Sequence, residues 1–198
     1  MTAIMPTPTR KELSHDRIVE VAARAIRRAG YRGVGVADMM KEAGLTHGGF
    51  YAHFPSRDAL LVEALQRAGR DNGATLREAM ALRQSRGEGR FAALVNAYLH
   101  DTQLGNAEGG CVVAALASEM ARQDEAVRDE SRRRVAGLIE VVRAALAEQG
   151  DAAQAEVVTA TMVGALQMAR TLGAKAGKAL LGRTRDALIA QHETRRAR

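Results

Sequence analysis

The chain is poor in aromatic residues: three Tyr, three Phe and no Trp among 198 positions. Proline occurs only at Pro6, Pro8 and Pro55, and Cys111 is the single cysteine. Each scarcity excludes something. One cysteine excludes an intrachain disulfide. Few prolines, with Ala, Leu, Arg and Glu abundant, favour helix nearly everywhere, and no alternating run of β-branched residues reads as a strand. No uncharged apolar stretch reaches the roughly 20 residues a spanning helix requires. The N-terminus lacks the apolar core of a signal peptide. These features predict a cytoplasmic protein with no membrane partner. Apolar residues make up 46% and charged residues 26%, which fits a folded globular chain rather than a disordered one.

Charge is unevenly placed. The net charge is +6, and residues 1–70 hold eleven Lys/Arg against seven Asp/Glu. A basic balance concentrated in the first third permits contact with nucleic acid. Residues 1–12, with Pro6, Pro8, Arg10 and Lys11, read as a flexible basic arm able to reach an adjacent groove.

Helical signals follow in order. Ser14 is a candidate N-cap for a first helix, with Ile18, Val21, Ala22, Ala25, Ile26 and Ala29 at helical spacing and Gly30 as its stop. Residues 31–35 read as a turn. Val36–Ala43 fits a short second helix, with Gly44 in the left-handed conformation that ends helices. Thr46 is placed to cap a third helix over His47–His53. Pro55 interrupts, Ser56 caps again, and a fourth helix starts at Arg57. Beyond it, helices are expected near 71–84, 90–104, 111–121, 125–148, 152–172 and 178–192, the first of them able to continue the helix from Arg57.

The segment Gly44–Phe54, GLTHGGFYAHF, holds three of the six aromatics and two of the five histidines. Two short helices meeting across Gly44 describe a helix-turn-helix, whose second helix enters the DNA major groove. Phe50 and Phe54, four apart, belong to the face packed on the first helix. His47 and Tyr51, also four apart, belong to another face with His53 nearby, where both residue types can hydrogen-bond phosphates or base edges. Gly48 and Gly49 weaken a helix by about 1 kcal/mol each and let the backbone approach DNA closely.

Residues 30–61, GYRGVGVADMMKEAGLTHGGFYAHFPSRDALL, resemble the DNA-binding region of TetR/AcrR-type transcriptional regulators. The shared pattern is Gly-Tyr, a short turn, a small amphipathic helix, Ala-Gly-Leu-Thr, an aromatic pair, His-Phe and Pro-Ser-Arg. The resemblance implies an all-α homodimer that binds a palindromic double-stranded operator, with an N-terminal three-helix domain and a larger C-terminal domain for effector binding and dimerisation. Here that division gives an arm at 1–12, a helix-turn-helix domain at 13–56 and a C-terminal domain at 57–198, with 57–70 as linking helix. The DNA-contact positions it implies are Thr46, His47, Gly48, Gly49, Tyr51 and His53, with Arg57 on a phosphate. One departure is Gly35, where family members often carry a capping Ser or Thr.

In the C-terminal part, Cys111 follows Gly109-Gly110 at a helix start, a setting that favours thiolate; His100 and Arg122 are candidate positive neighbours. As a small buried hydrophobe it needs no such role, but some TetR-like regulators sense oxidants or electrophiles through cysteine. Phe91, Tyr98, Met120, Met162 and Leu166, with Leu94, Leu116 and Met168, are candidates for an effector pocket. The near absence of aromatics and acids on those faces argues against a planar cation and for a small, neutral or apolar inducer. Small residues over 152–169 suit close helix packing in an isologous dimer.

The fullest reading is therefore a DNA-binding regulator, by family default a repressor that leaves its operator when a small molecule binds or Cys111 is modified. The alternatives are a non-specific DNA-binding protein and a thiol-dependent enzyme using Cys111 with His100. No phosphate loop, metal-ligand cluster or paired-acid signature accompanies that thiol, so no enzymatic activity and no cofactor are expected.

Overall fold

The computed structural model describes residues 8–193. Among them all regular structure is helical: α1 (Arg10–Ala29), α2 (Val36–Glu42), a 3-10 helix (His47–Ala52), α3 (Arg57–Gln84), α4 (Arg90–Tyr98), a 3-10 turn (Asp101–Leu104), α5 (Val112–Met120), α6 (Glu125–Ala147), a further 3-10 turn (Ala152–Gln154) and α7 (Ala155–Glu193). Most of the basic arm, residues 1–7, lies outside the described residues.

The first helix starts earlier than Ser14. Thr9 caps it in a capping box with Glu12: Glu12 N–H donates to Thr9 Oγ1, and Thr9 N–H donates to Glu12 Oε2 at 2.7 Å. The reciprocal pair satisfies two end groups where Ser14 would satisfy one, so Arg10 and Lys11 are helical. Gly30 ends α1 with φ +76° and ψ 175°. At the end of α2, Gly44 adopts φ +72°, Gly44 N–H donates to Lys41 C=O, and Leu45 N–H donates to Met40 C=O. This is a complete Schellman motif, and it aims the chain into the 3-10 helix.

α3 runs unbroken for 28 residues from its Ser56 cap. The helix expected over 90–104 stops at Tyr98, and His100 caps the separate 3-10 turn instead. In α7 the interruption is one residue, Gly173 at φ +77°, rather than a loop over 173–177. Gly177 is helical and needs to be small: a Cβ there would lie 2.3 Å from Ala169 C=O.

One buried core runs through both ends of the molecule. Ile18, Ala22, Ile26, Met39, Met40, Phe50 and Phe54 fill the N-terminal part, and α4, α5 and the inner faces of α6 and α7 fill the rest. Where they meet, Tyr31 is fully buried. Its N–H donates to Glu119 Oε2 at 3.2 Å, its hydroxyl lies 3.4 Å from Ser131 Oγ, and its carbonyl accepts from Arg57. Burial raises the Tyr31 phenol above its ordinary range, and the Ser131 bond partly offsets this. Arg27 Nη1 donates to Gly110 C=O at 3.3 Å, and Arg28 pairs with Glu42 and Glu108. Burial, then the facing Asp124 carboxyl, raise Asp58 above the ordinary carboxylate range, and Arg57 opposes them.

The small residues over 152–169 do not share one outer face. Ala155, Thr159, Ala165 and Ala169 are buried in this chain's own core. The outward stripe of α7 is Val157, Thr161, Met168 and Leu172, with Val157 62% and Met168 59% exposed.

Gly30 combines a backbone conformation open almost only to glycine with a packed neighbour, since a Cβ there would meet Glu119 Oε1 at 2.5 Å. Gly30→Ala is expected to lower the unfolding free energy by about 1–3 kcal/mol, read from urea denaturation curves.

Candidate nucleic-acid interface

The reading element is held from beneath by aromatic packing. Phe50 and Phe54 are each 1% exposed, with rings stacked 5.6 Å apart. The imidazole of His15, from α1, stacks on Phe54 at 4.5 Å, and His15 Nε2 lies 2.7 Å from Glu63 Oε2 on α3. Three elements are thus pinned to one aromatic stack.

The other side is open. Thr46, His47 and Gly48 are exposed, and Tyr51 is 75% exposed with its edge against Phe50 at 5.2 Å. The segment is 3-10 rather than α, so residues three apart align, and Gly48 lies in register with Tyr51. Thr46 sits at the N-cap position but makes no side-chain capping bond; its hydroxyl stays outside the helix end. Neither Gly48 nor Gly49 has a positive φ. A Cβ at Gly48 would meet nothing within 4 Å, and one at Gly49 would make only ordinary contacts. Nothing inside the protein requires glycine at either position.

His53 and Arg57 are placed differently from the surface contacts expected of them. His53 is half-buried, its ring 6.0 Å from His15 and its Nδ1 buried without a hydrogen-bond partner. Burial, then His15 and Lys11, hold His53 below the ordinary imidazole value. Arg57 turns one guanidinium nitrogen inward to the Tyr31 carbonyl. Sequence reasoning passed over Arg17 and Lys41. Both are exposed with no ion pair or hydrogen bond among the described residues, and Arg17 Nη2 would lie 3.5 Å from a Cβ on Gly44, at the turn itself. Helical spacing from Ile18 would have put Arg17 on the outer side of α1, but not beside the turn.

The proposed effector residues separate into several places. Tyr98, Cys111 and Leu166 line one cavity of about 30 Å³. Phe91 packs edge-on against His192 at 5.2 Å. Met120 lines a different groove, of about 470 Å³, between α5 and α6. Met162 is core at 1% exposure, and Met168 is exposed, because α7 turns it outward. Cys111 is the N-cap residue of α5 and is 5% exposed. Its cationic neighbours are Arg27 and Arg170, not His100, which is exposed and bonded to Thr102, nor the exposed Arg122. Arg170 anchors the preceding loop through the carbonyls of Gln103 and Asn106.

Folding favours neutral His53, so its stabilising effect is complete above the unfolded value of about 6.5 and is lost as pH falls from there through the lowered folded value. The urea midpoint is expected to drop as the pH is taken from neutral to mildly acid, and His53→Gln is expected to flatten that dependence.

A family model described as bacterial regulatory proteins, tetR family, matches residues 18–64. No curated protein matches the chain. Among solved structures, a TetR-family transcriptional regulator from Agrobacterium tumefaciens superposes with a TM-score of 0.74 at 24% identity, covering 92% of this chain and 98% of that one. A TetR regulator from Chloroflexus aurantiacus gives 0.73 at 20% identity, covering 92% and 96%. The reduced form of NemR from E. coli gives 0.68 at 23% identity, covering 87% and 95%. Among the described residues no three His, Cys, Asp or Glu side chains are grouped to hold a metal, and no helix is long and apolar enough to cross a membrane. Residues 18–64 match the tetR family of bacterial regulatory proteins, and the chain as a whole has the fold of solved TetR-family regulators.

Proposed function

We propose that the protein is a cytoplasmic repressor that binds a palindromic operator as a homodimer and leaves it when the C-terminal part takes up an effector. The observation that carries the DNA side is Gly48 and Gly49. They cost helix stability, and neither backbone conformation nor internal packing asks for them. Close approach of backbone to DNA supplies the missing reason. Around them, Thr46, His47 and Tyr51 reach phosphates and base edges, Arg17 and Lys41 reach phosphates, and Arg57 contributes whatever donors Tyr31 leaves free. His53 acts by holding the reading helix on α1 rather than by touching DNA.

One reading element per chain requires two chains for a palindrome. The exposed Val157–Leu172 stripe of α7 supports a second copy as its cover, in an isologous pairing. Effector binding beside α5 would reach the reading unit through Arg27 on Gly110 and Glu119 on Tyr31, altering the spacing of the paired reading helices.

Gly48→Ala is expected to keep or raise stability, by up to about 1 kcal/mol, while weakening operator binding in mobility shifts. Tyr51→Ala is expected to weaken binding at unchanged melting temperature. Met168→Glu is expected to sediment as a monomer and to lose the palindrome. A monomeric wild type that still binds tightly overturns the dimer.

A second reading gives Cys111 the effector role, favoured by its place in a cavity wall with Arg27 and Arg170 alongside. N-ethylmaleimide is expected to label the folded protein and release DNA, and Cys111→Ser is expected to bind DNA but ignore the reagent. An unreactive thiol, or labelled protein with full affinity, returns Cys111 to the core.

A further inference from the structure

A cleft of about 220 Å³ opens between α3, α5 and α6. Gly69 and Gly73 on α3 and Gly137 on α6 line it, none with a positive φ. The smallness of Gly69 and Gly73 makes room for guanidinium groups: a Cβ at Gly69 would meet Arg134 Nη1 at 2.7 Å, and one at Gly73 would meet Arg77 Nη1 at 3.3 Å. Aliphatic side chains, chiefly Leu76, Val112, Val113 and Leu138, form the walls.

The charged members of the lining are Arg77, Arg133 and Arg134, and no carboxylate is among them. Arg133 and Arg134 each lie 2.8 Å from an oxygen of the buried Glu130, the Arg134 contact being close but poorly angled for a hydrogen bond. Two positive charges there face one negative. Arg77 is exposed and has no ion pair or hydrogen bond among the described residues. The rim is therefore cationic even after its internal pairing is counted.

The inner end is defined as well. Asn72, Leu76 and Cys111 line both this cleft and the cavity of about 30 Å³ beyond it. Tyr98 closes that cavity. It is 4% exposed, and its hydroxyl has no partner of normal hydrogen-bond geometry. Burial, then the neighbouring Cys111 thiol, push the phenol well above its ordinary range, so it stays neutral and able to donate. The small cavity has room for about one water, which sets the depth a ligand can reach.

We infer that this cleft binds an organic anion: a carboxylate held by Arg77 with Arg133 and Arg134, and an aliphatic body of medium length lying along the walls and ending at Cys111. A guanidinium fork matches a carboxylate in geometry as well as charge. The assignment rests on reading the C-terminal part as the effector-binding one, and it replaces the neutral or apolar molecule that the helix faces suggested. Octanoate, octanol and octylamine are matched in body and differ in charge, which makes them a direct probe.

Titration calorimetry and thermal melting of the full chain, without DNA, provide the test. Octanoate is expected to bind at least tenfold more tightly than octanol or octylamine and to raise the melting temperature. Arg77→Met is expected to melt like the wild type when unliganded and to lose most of that preference. Gly73→Leu, which fills the cleft, is expected to weaken all three probes. Equal binding of octanoate and octanol, preference for octylamine, no binding of any probe, or an Arg77→Met variant that keeps the preference overturns the inference. Mobility shifts on operator DNA separate it from the regulatory reading. DNA binding without octanoate binding defeats the ligand class alone. Octanoate binding that leaves the DNA complex intact upholds the ligand class and defeats induction through this cleft.

Discussion

The joint between α1 and the helices that follow depends on the burial of Tyr31. A tyrosine sunk to zero exposure brings its own backbone with it, and that backbone has to find partners or pay a desolvation cost of about 1–3 kcal/mol per unpaired group. Here Glu119 takes the N–H and Arg57 takes the carbonyl, while Ser131 meets the hydroxyl. The partners come from α5, α3 and α6, so one residue after α1 ties the N-terminal unit to three later helices. Gly30 makes this possible: without its left-handed turn, α1 would continue and Tyr31 would point elsewhere.

The reading unit shows the opposite economy. Its underside is overdetermined, with Phe50, Phe54 and His15 stacked and Met39 and Met40 fully buried. Its outer side gives up stabilising groups: two glycines without an internal role, a threonine that caps nothing, and a tyrosine three-quarters in solvent. A surface that departs from local preference while its support follows it is where a functional contact is expected.

Much of this was legible in the sequence. The helical class, the turn at Gly44, the burial of Phe50 and Phe54 and the exposure of Tyr51 follow from period and cap chemistry. Long-range partners do not. His53 reads as a surface residue because nothing near it in sequence announces His15, 38 positions earlier in the chain. The Ser14 start fails because Thr9–Glu12 makes a reciprocal cap, and the 90–104 helix fails because His100 can cap a new turn. The effector candidates divide for a similar reason: Tyr98, Cys111 and Leu166 share one cavity and the others lie elsewhere. Apolar spacing along a helix does not say which faces converge, and tertiary packing sends Phe91 to His192 and Met168 to solvent. The arginines over the α3–α6 cleft belong to separate helices, and only the fold brings Arg77 beside Arg133 and Arg134.

Four of the arginines that brace this structure bond to peptide carbonyls: Arg27 to Gly110, Arg57 to Tyr31, Arg170 to Gln103 and Asn106, and Arg185 to Leu99. A peptide carbonyl is present whatever the side chain. Residues such as Gln103 and Asn106 can therefore be exchanged without removing the acceptor, provided the backbone path is kept. Gln103 can change its side chain while the loop before α5 keeps its anchorage to α7, whereas Gly110 cannot, because a Cβ there would lie 2.6 Å from the Asn106 carbonyl oxygen.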